Sequence, residues 1–284
     1  MNYKKINPRD FDIKNIYHLM IAGIAPRPIA LVGSIDLNNN INLAPFSFFN
    51  AFGANPPIVG FSPALSGRTG LPKDTLLNIK ETKEFSISIV TSDIVEQVSL
   101  ASCEFPKDVD EFVKSGLNKF KTNLIKPPGV KESPFIMECK LHKIIELGNK
   151  PASGNLILGE IIMFHVSKGI MNSEGVVDPT KINHIARNGG PWYSSTKENL
   201  FKLNKPKGVG IGFDSLPIDL INSDLKGSEL AKLASVNEIP LINNKIDALD
   251  YDFNYLINEM SKLLFDDKII ESWNLFLNWK NKNE

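Results

Sequence analysis

Lys73, Asp74 and Thr75 stand in line directly ahead of a run that reads as a helix, and the flexible stretch 66–70, carrying Arg68, precedes them. Two readings account for these residues. An Asp or Thr oxygen can cap the first turn of an ordinary helix, with a solvated lysine beside it. The free amides of a helix N-terminus, a hydroxyl and one or two cations also form the arrangement that holds a phosphate. Asp74 suits a cap or a ligand hydroxyl better than it suits a phosphate.

The stretch Asn42–Asn50 mixes small polar groups with aromatics inside a β pattern. As a bulged strand it would offer backbone amides and Ser47 to a flat heterocycle; as plain core it would only pack. His184–Tyr193 reads as a loop carrying a histidine, an arginine and two aromatics, a composition shared by ligand loops and surface turns. Other signals fail on inspection. Gly208, Gly210 and Gly212 lack the full register and the following βαβ unit of a dinucleotide fold. Asp108, Asp110 and Glu111 are what a helix start attracts through its dipole. The four histidines are scattered, and no nucleophile elbow is present, so neither a zinc site nor a serine triad is expected.

Strands and short helices must position these residues. Ile29–Val32 and Ile41–Phe49 flank the turn signal Asp36–Asn40 and form a hairpin, in which Pro45 demands a bulge or a sheet edge. Ile58–Phe61 follows the breaker Pro56–Pro57. Phe85, Ile87 and Ile89 alternate with serines, and Met137, Cys139 and Leu141 alternate with Glu138, Lys140 and His142, the pattern of strands with one buried face. The second of these pairs with Leu156–Val166 across the turn 148–154. Helices are expected over 75–83, 92–102 and 109–114. Such strands, without regular βαβ alternation, give an antiparallel barrel with attached helices. Lys205–Gly208 marks a boundary, so residues 1–205 form the barrel and 206–284 a mostly helical extension, with helices over 228–234 and 251–279. That extension is expected to pack on the barrel or on a partner subunit.

The whole chain, 284 residues with 42% hydrophobic and 23% charged residues, can bury a sizeable core. Its formal net charge of zero gives no field for nucleic acid or an anionic membrane. The N-terminal residues carry lysines with no apolar run behind them and so do not read as a secretory signal, no later window reads as membrane-spanning, and the two cysteines, Cys103 and Cys139, form no CxxC pair. A cytoplasmic protein is expected.

Five blocks in order carry a resemblance: Arg27–Asp36, Ile41–Phe52, Pro56–Pro63, Lys73–Val90 and Ala186–Tyr193. Together, over about residues 15–200, they resemble the flavin reductase-like FMN-binding proteins, which include flavoredoxin and the reductase components of flavin-dependent monooxygenases. The Lys-Asp-Thr form is more similar to the flavoredoxin branch. The resemblance implies an FMN-binding split β-barrel with peripheral helices, a homodimer, and FMN near the subunit interface. It places Ala44, Ser47 and Phe48 on the flavin, and Ser62, Lys73, Asp74 and Thr75 on the ribityl-phosphate end with Asn78 close behind. Arg27 and Arg187 match arginines near the pocket, where one of them would raise the potential of a flavin that gains charge on reduction. The implied activity is NAD(P)H-dependent flavin reduction, with NADH or NADPH as transient donor and electrons passed to a second acceptor. An electron carrier reduced by a redox partner protein, or a non-catalytic FMN-binding protein, fits the same blocks. Pyridoxamine phosphate oxidase-type barrels fit them less well.

Overall fold

The computed structural model describes residues 1–203, 208–241 and 251–283. The chain forms two compact units, Met1–Leu200 and Phe201–Glu284. The Lys205–Lys207 part of the expected boundary lies outside the described residues.

The first unit begins with helix α1 (Ile13–Gly23) and strands β1 (Arg27–Pro28), β2 (Ala30–Ile35), β3 (Ile41–Phe46), β4 (Phe49–Ala54) and β5 (Pro57–Phe61). Helix α2 (Asp74–Thr82), strand β6 (Glu84–Ile89) and helices α3 (Val95–Ala101) and α4 (Glu111–Ser115) follow. Strands β7 (Lys119–Phe120), β8 (Gly129–Val130), β9 (Phe135–Glu146), β10 (Asn155–Val166), β11 (Ile185–Arg187) and β12 (Tyr193–Ser195) complete it.

Seven strands form one antiparallel sheet in the order β3-β2-β6-β9-β10-β5-β4. The two edge strands are consecutive in the chain and are joined only by Ser47 and Phe48. In a flat sheet, six spacings of about 4.8 Å would hold those edges about 29 Å apart. Three residue steps from Phe46 to Phe49 reach about 11 Å at most. The sheet must therefore roll into a barrel, with its seam at Ser47–Phe48. Pro45 sits on the edge strand β3 opposite Leu31, where its missing N–H removes no ladder bond. The β2–β3 turn is built by Asp36, whose Oδ1 accepts from the backbone of Asn38 at 2.9 Å and Asn40 at 2.8 Å.

Two apolar clusters cover the two faces. Val32, Phe61, Leu76, Ile79, Phe85, Ile87 and Ile157 fill the inside, while Leu31, Leu43, Val98, Phe112 and Val130 pack outside under α3 and α4. The expectation of one buried face fails for β6. Ser86 and Ser88 are fully buried, because Ser86 Oγ donates to the Pro128 carbonyl at 2.6 Å and Ser88 Oγ accepts from Val130 N at 3.0 Å. Glu138 on β9 is buried likewise. The loop and short hairpin over 119–130 cover both strands, a cover that alternation alone does not reveal. The 92–102 helix is shorter than expected, a tight turn at Ser92–Ile94 leading into α3.

His184–Tyr193 is more ordered than a loop. β11 and β12 form a hairpin that pairs with β1, setting Arg187 opposite Arg27. Its turn needs Gly189, which has a φ of +95° and lies so close to α1 that an added Cβ would meet Ala22 Cα at 3.1 Å.

The second unit contains α5 (Ile218–Ile221), α6 (Gly227–Leu233), α7 (Phe253–Phe265) and α8 (Ile269–Asn283). The expected continuous helix over 251–279 is broken at Asp266–Lys268, where Asp267 takes a φ of 57°. That break sets Trp273 and Phe276 of α8 into one core with Leu256, Met260 and Leu264 of α7 and Leu233 of α6. The Trp273 indole donates to the Leu233 carbonyl at 3.0 Å. No helix among the described residues is long and apolar enough to cross a membrane.

Candidate functional site

A cavity of about 1420 Å³ opens beside the barrel seam. Its lining comes from Phe11–Lys14 and Tyr17 at the start of α1, from Asn42–Phe48, from the segment between β5 and α2, and from Ala101–Phe105 with Glu111.

Strand β3 supplies one wall because it is an edge. Leu43 N, which points out of the sheet, is taken by Glu111 Oε2 at 2.9 Å. The next outward donor position is Pro45, which has none. At the seam, Phe48 O accepts from Ser62 N at 2.9 Å, and Ser62 Oγ accepts from Asn155 N at 3.1 Å. These bonds hold Phe48 and Ser62 together beside the junction of the two edge strands, with Ser47 next to Phe48 in the chain.

The opposite end is the start of α2. Its N-cap is Lys73, which has no oxygen to offer, so no side chain caps the helix. The ordinary cap reading of Asp74 or Thr75 therefore fails: Asp74 is the first helical residue, and Thr75 Oγ1 accepts from Asn42 Nδ2 at 2.9 Å. Two cations border this end. Lys73 Nζ lies 2.9 Å from Glu104 Oε1, and Arg68 Nη2 lies 3.3 Å from Glu104 Oε2. The Lys73 ammonium, with Arg68 behind it, holds the Glu104 carboxyl below its ordinary value. Burial pushes the Glu111 carboxyl the other way, above the usual carboxylate range, against the pull of the Leu43 amide.

Ala44, Ser47, Phe48, Ser62, Lys73, Asp74 and Thr75 all line this cavity. Asn78 does not; it is buried behind Thr75 and donates to Ser34 Oγ at 3.1 Å. Arg27 and Arg187 are also outside the lining. Arg27 is buried, donates to the carbonyls of Ile21 and Ile24, and reaches the site only by lying 5.9 Å from the centre of the Phe48 ring. Arg187 donates to Tyr193 Oη and the Gly190 carbonyl, with its guanidinium 4.6 Å from the centre of the Tyr193 ring. Sequence reasoning missed Glu104, which nothing near Lys73 in the chain announces. It also read Glu111 as a dipole residue only. Asp110 does cap α4, accepting from Phe112 N at 2.9 Å.

One end of the cavity thus offers an uncapped helix terminus, a hydroxyl and two cations, which suits a phosphate. The seam offers backbone and small side chains along an aromatic-bordered slot, which suits a flat ring system. The donor set fits a mononucleotide-like flavin in that orientation.

Comparison with known proteins is consistent with this geometry. The family described as flavin reductase like domain matches residues 22–181. The component B structure of nitrilotriacetate monooxygenase from Bacillus cereus is 31% identical, covering 72% of this chain and 100% of that chain, with a TM-score of 0.67. The 2-nitrobenzoate 2-nitroreductase of Pseudomonas fluorescens is 28% identical over 72% of this chain and 98% of that one, with a TM-score of 0.65. Flavoredoxin of Desulfovibrio vulgaris is 25% identical over 62% and 90% respectively, with a TM-score of 0.52.

Proposed function

The chain belongs to the flavin reductase-like domain family, and from that premise we propose that it binds FMN in the seam cavity and catalyses NAD(P)H-dependent flavin reduction, passing electrons to a second acceptor. The observation that carries this reading is the pairing, in one cavity, of the Lys73–Thr75 helix terminus with the Ala44–Phe48 strand edge. FMN, when bound, supplies hydride acceptance at its N5 and release of the electrons to another molecule.

The protein's part is placement. Lys73, Thr75 and the first amides of α2 hold the phosphate, and Asp74 is available to ribityl hydroxyls. Ala44, Ser47 and Phe48 take the ring system, with Ser62 fixed at the seam. The cavity exceeds the roughly 300–1,000 Å³ usual for small-ligand sites, which supports room for a nicotinamide beside the flavin. No acid or base is required for hydride transfer, so the lack of a triad is compatible with the activity.

The same reading takes the protein as a cytoplasmic homodimer. The dimer part of it is supported by α1, which buries only Ile21 while exposing Tyr17, Leu19 and Met20. Sedimentation at micromolar concentration tests the dimer.

The function is tested by the visible spectrum of purified protein with FMN, followed by anaerobic NADH and then NADPH. A perturbed flavin spectrum that bleaches with either nucleotide is expected. A bound flavin that stays oxidised would instead favour an electron carrier reduced by a partner protein, a reading the likeness to flavoredoxin supports. Folded protein that binds no flavin would refute both.

A further inference from the structure

Resting on the FMN reading above, we propose that Glu104 is a built-in competitor for the flavin phosphate, so that the site holds FMN as an exchanging molecule and not as a permanent group. The carboxylate of Glu104 is itself an anion seated on the cations the phosphate would use. Its two oxygens are divided between them, Oε1 on Lys73 and Oε2 on Arg68, at 2.9 and 3.3 Å. Glu104 lies 31 positions from Lys73 and 36 from Arg68, on a different segment from the one that carries both cations, so the contact is made by the fold and not by local sequence.

The local charges then sum to nothing. Lys73 and Arg68 contribute two positive charges, and Glu104 and Asp74 contribute two negative ones. A phosphate monoester brings about −1.5 to −2 at neutral pH. It enters a neutral subsite and must replace the carboxylate on Lys73, so attraction to the cation is exchanged and not added. The replacement is easy, because Glu104 is 62% exposed and lies on the short segment just after α3, free to turn into water. A phosphate therefore retains the helix amides and Thr75 but gains little from charge. Weak net attraction at one end of the ligand favours a fast off-rate, as a protein that hands reduced flavin onward requires.

Riboflavin has the same ring system and ribityl chain without the phosphate, so it separates this effect from all others. Kd values for FMN and riboflavin would be measured by fluorescence titration on the full chain at low salt, for the wild type, E104Q, K73M and the double variant. Each exposed ion pair is worth about one and a half- to fivefold in an equilibrium constant. With two such contacts removed, E104Q should tighten FMN about two- to twenty-five-fold and leave riboflavin unchanged. K73M should weaken FMN and shrink the gain from E104Q. An unchanged FMN Kd in E104Q, or equal tightening of FMN and riboflavin, would overturn the proposal while leaving FMN binding intact. Failure of the wild type to bind either flavin would overturn the functional reading itself, and the proposal with it.

Discussion

Replacing Glu138 by Gln tests how the barrel secures the loop that covers β6 and β9. The Glu138 carboxylate is fully buried and accepts four hydrogen bonds. Asn123 N and His165 Nε2 reach Oε1 at 2.7 and 2.6 Å, and Leu124 N and Ile125 N reach Oε2 at 2.6 and 3.1 Å. Glutamine has the same shape but only one accepting oxygen. Turned either way, its NH2 faces a pair of donors, of which only the His165 ring can become an acceptor by changing tautomer. At least one backbone amide is left buried and unsatisfied, and the remaining bonds lose their charged acceptor. Bonds to a charged group contribute about 1.5–3 kcal/mol each, so a loss of about 3 kcal/mol is expected. For a unit of this size that lowers Tm by about 6–12 °C.

The pH dependence gives a second check. Burial opposes ionisation of Glu138, but the Asn123 and Leu124 amides and the His165 ring outweigh it and hold the carboxyl below its ordinary value. A depressed acid stabilises the fold above the unfolded glutamate pKa of about 4.3 and loses that contribution as pH falls through the folded value. The gap between wild type and E138Q should be full at pH 7 and close in acid. Urea unfolding followed by far-UV circular dichroism measures it, as a shift in midpoint at unchanged slope. A loss under about 1 kcal/mol at pH 7, or a gap that persists unchanged into acid, would refute the reasoning.

Glu111 should behave in the opposite sense. Its folded pKa is raised by burial, so its stabilising contribution is present below the unfolded pKa and is lost as pH rises through the folded one. E111Q, which keeps an oxygen for Leu43 N, should equal or exceed the wild type in thermal stability at pH 7, while E111A should lose about 1–3 kcal/mol. Gly33→Ala would place a Cβ 2.2 Å from Pro128 O and 2.6 Å from Ser86 Oγ, and should cost about 3 kcal/mol or more in urea unfolding. Trp273→Phe leaves the Leu233 carbonyl without its indole partner and should lower the stability of the helical unit by about 1–3 kcal/mol, read from calorimetry.

Much of the barrel was legible because its signals are local. The Asp36–Asn40 turn, the edge imposed by Pro45 and the apolar alternation of β6 and β9 each follow from a few adjacent residues. The cavity-lining residues named from the sequence were reached through resemblance; spacing alone left Lys73–Thr75 open between a cap and a phosphate site. Burial of Ser86, Ser88 and Glu138 was not legible, since it depends on a loop some 40 residues away for the serines folding over their face. Glu104 was hidden for the same reason: its partner lies 31 residues off. The break at Asp266–Lys268 did leave a mark, three consecutive charged residues where the stripe of Leu256, Met260 and Leu264 calls for an apolar one, but a reading by overall apolar content runs across it. Only the positive φ of Asp267 ends α7 and returns the chain.

The seam at Ser47–Phe48 also bears on how the molecule assembles. The hairpins β2–β3, β4–β5 and β9–β10 close over short stretches of chain, whereas β2–β6, β6–β9 and β5–β10 stitch them together across long ones. β3 and β4 each have a neighbour on one side only, so parting them breaks no rung of the ladder. Amide hydrogen exchange should therefore be fast along these two strands in the ligand-free protein and slow in β6 and β9. A molecule lodged across the seam would act as a lacing, raising protection on both strands at once and making the barrel's resistance to opening depend on how much of that molecule is in solution.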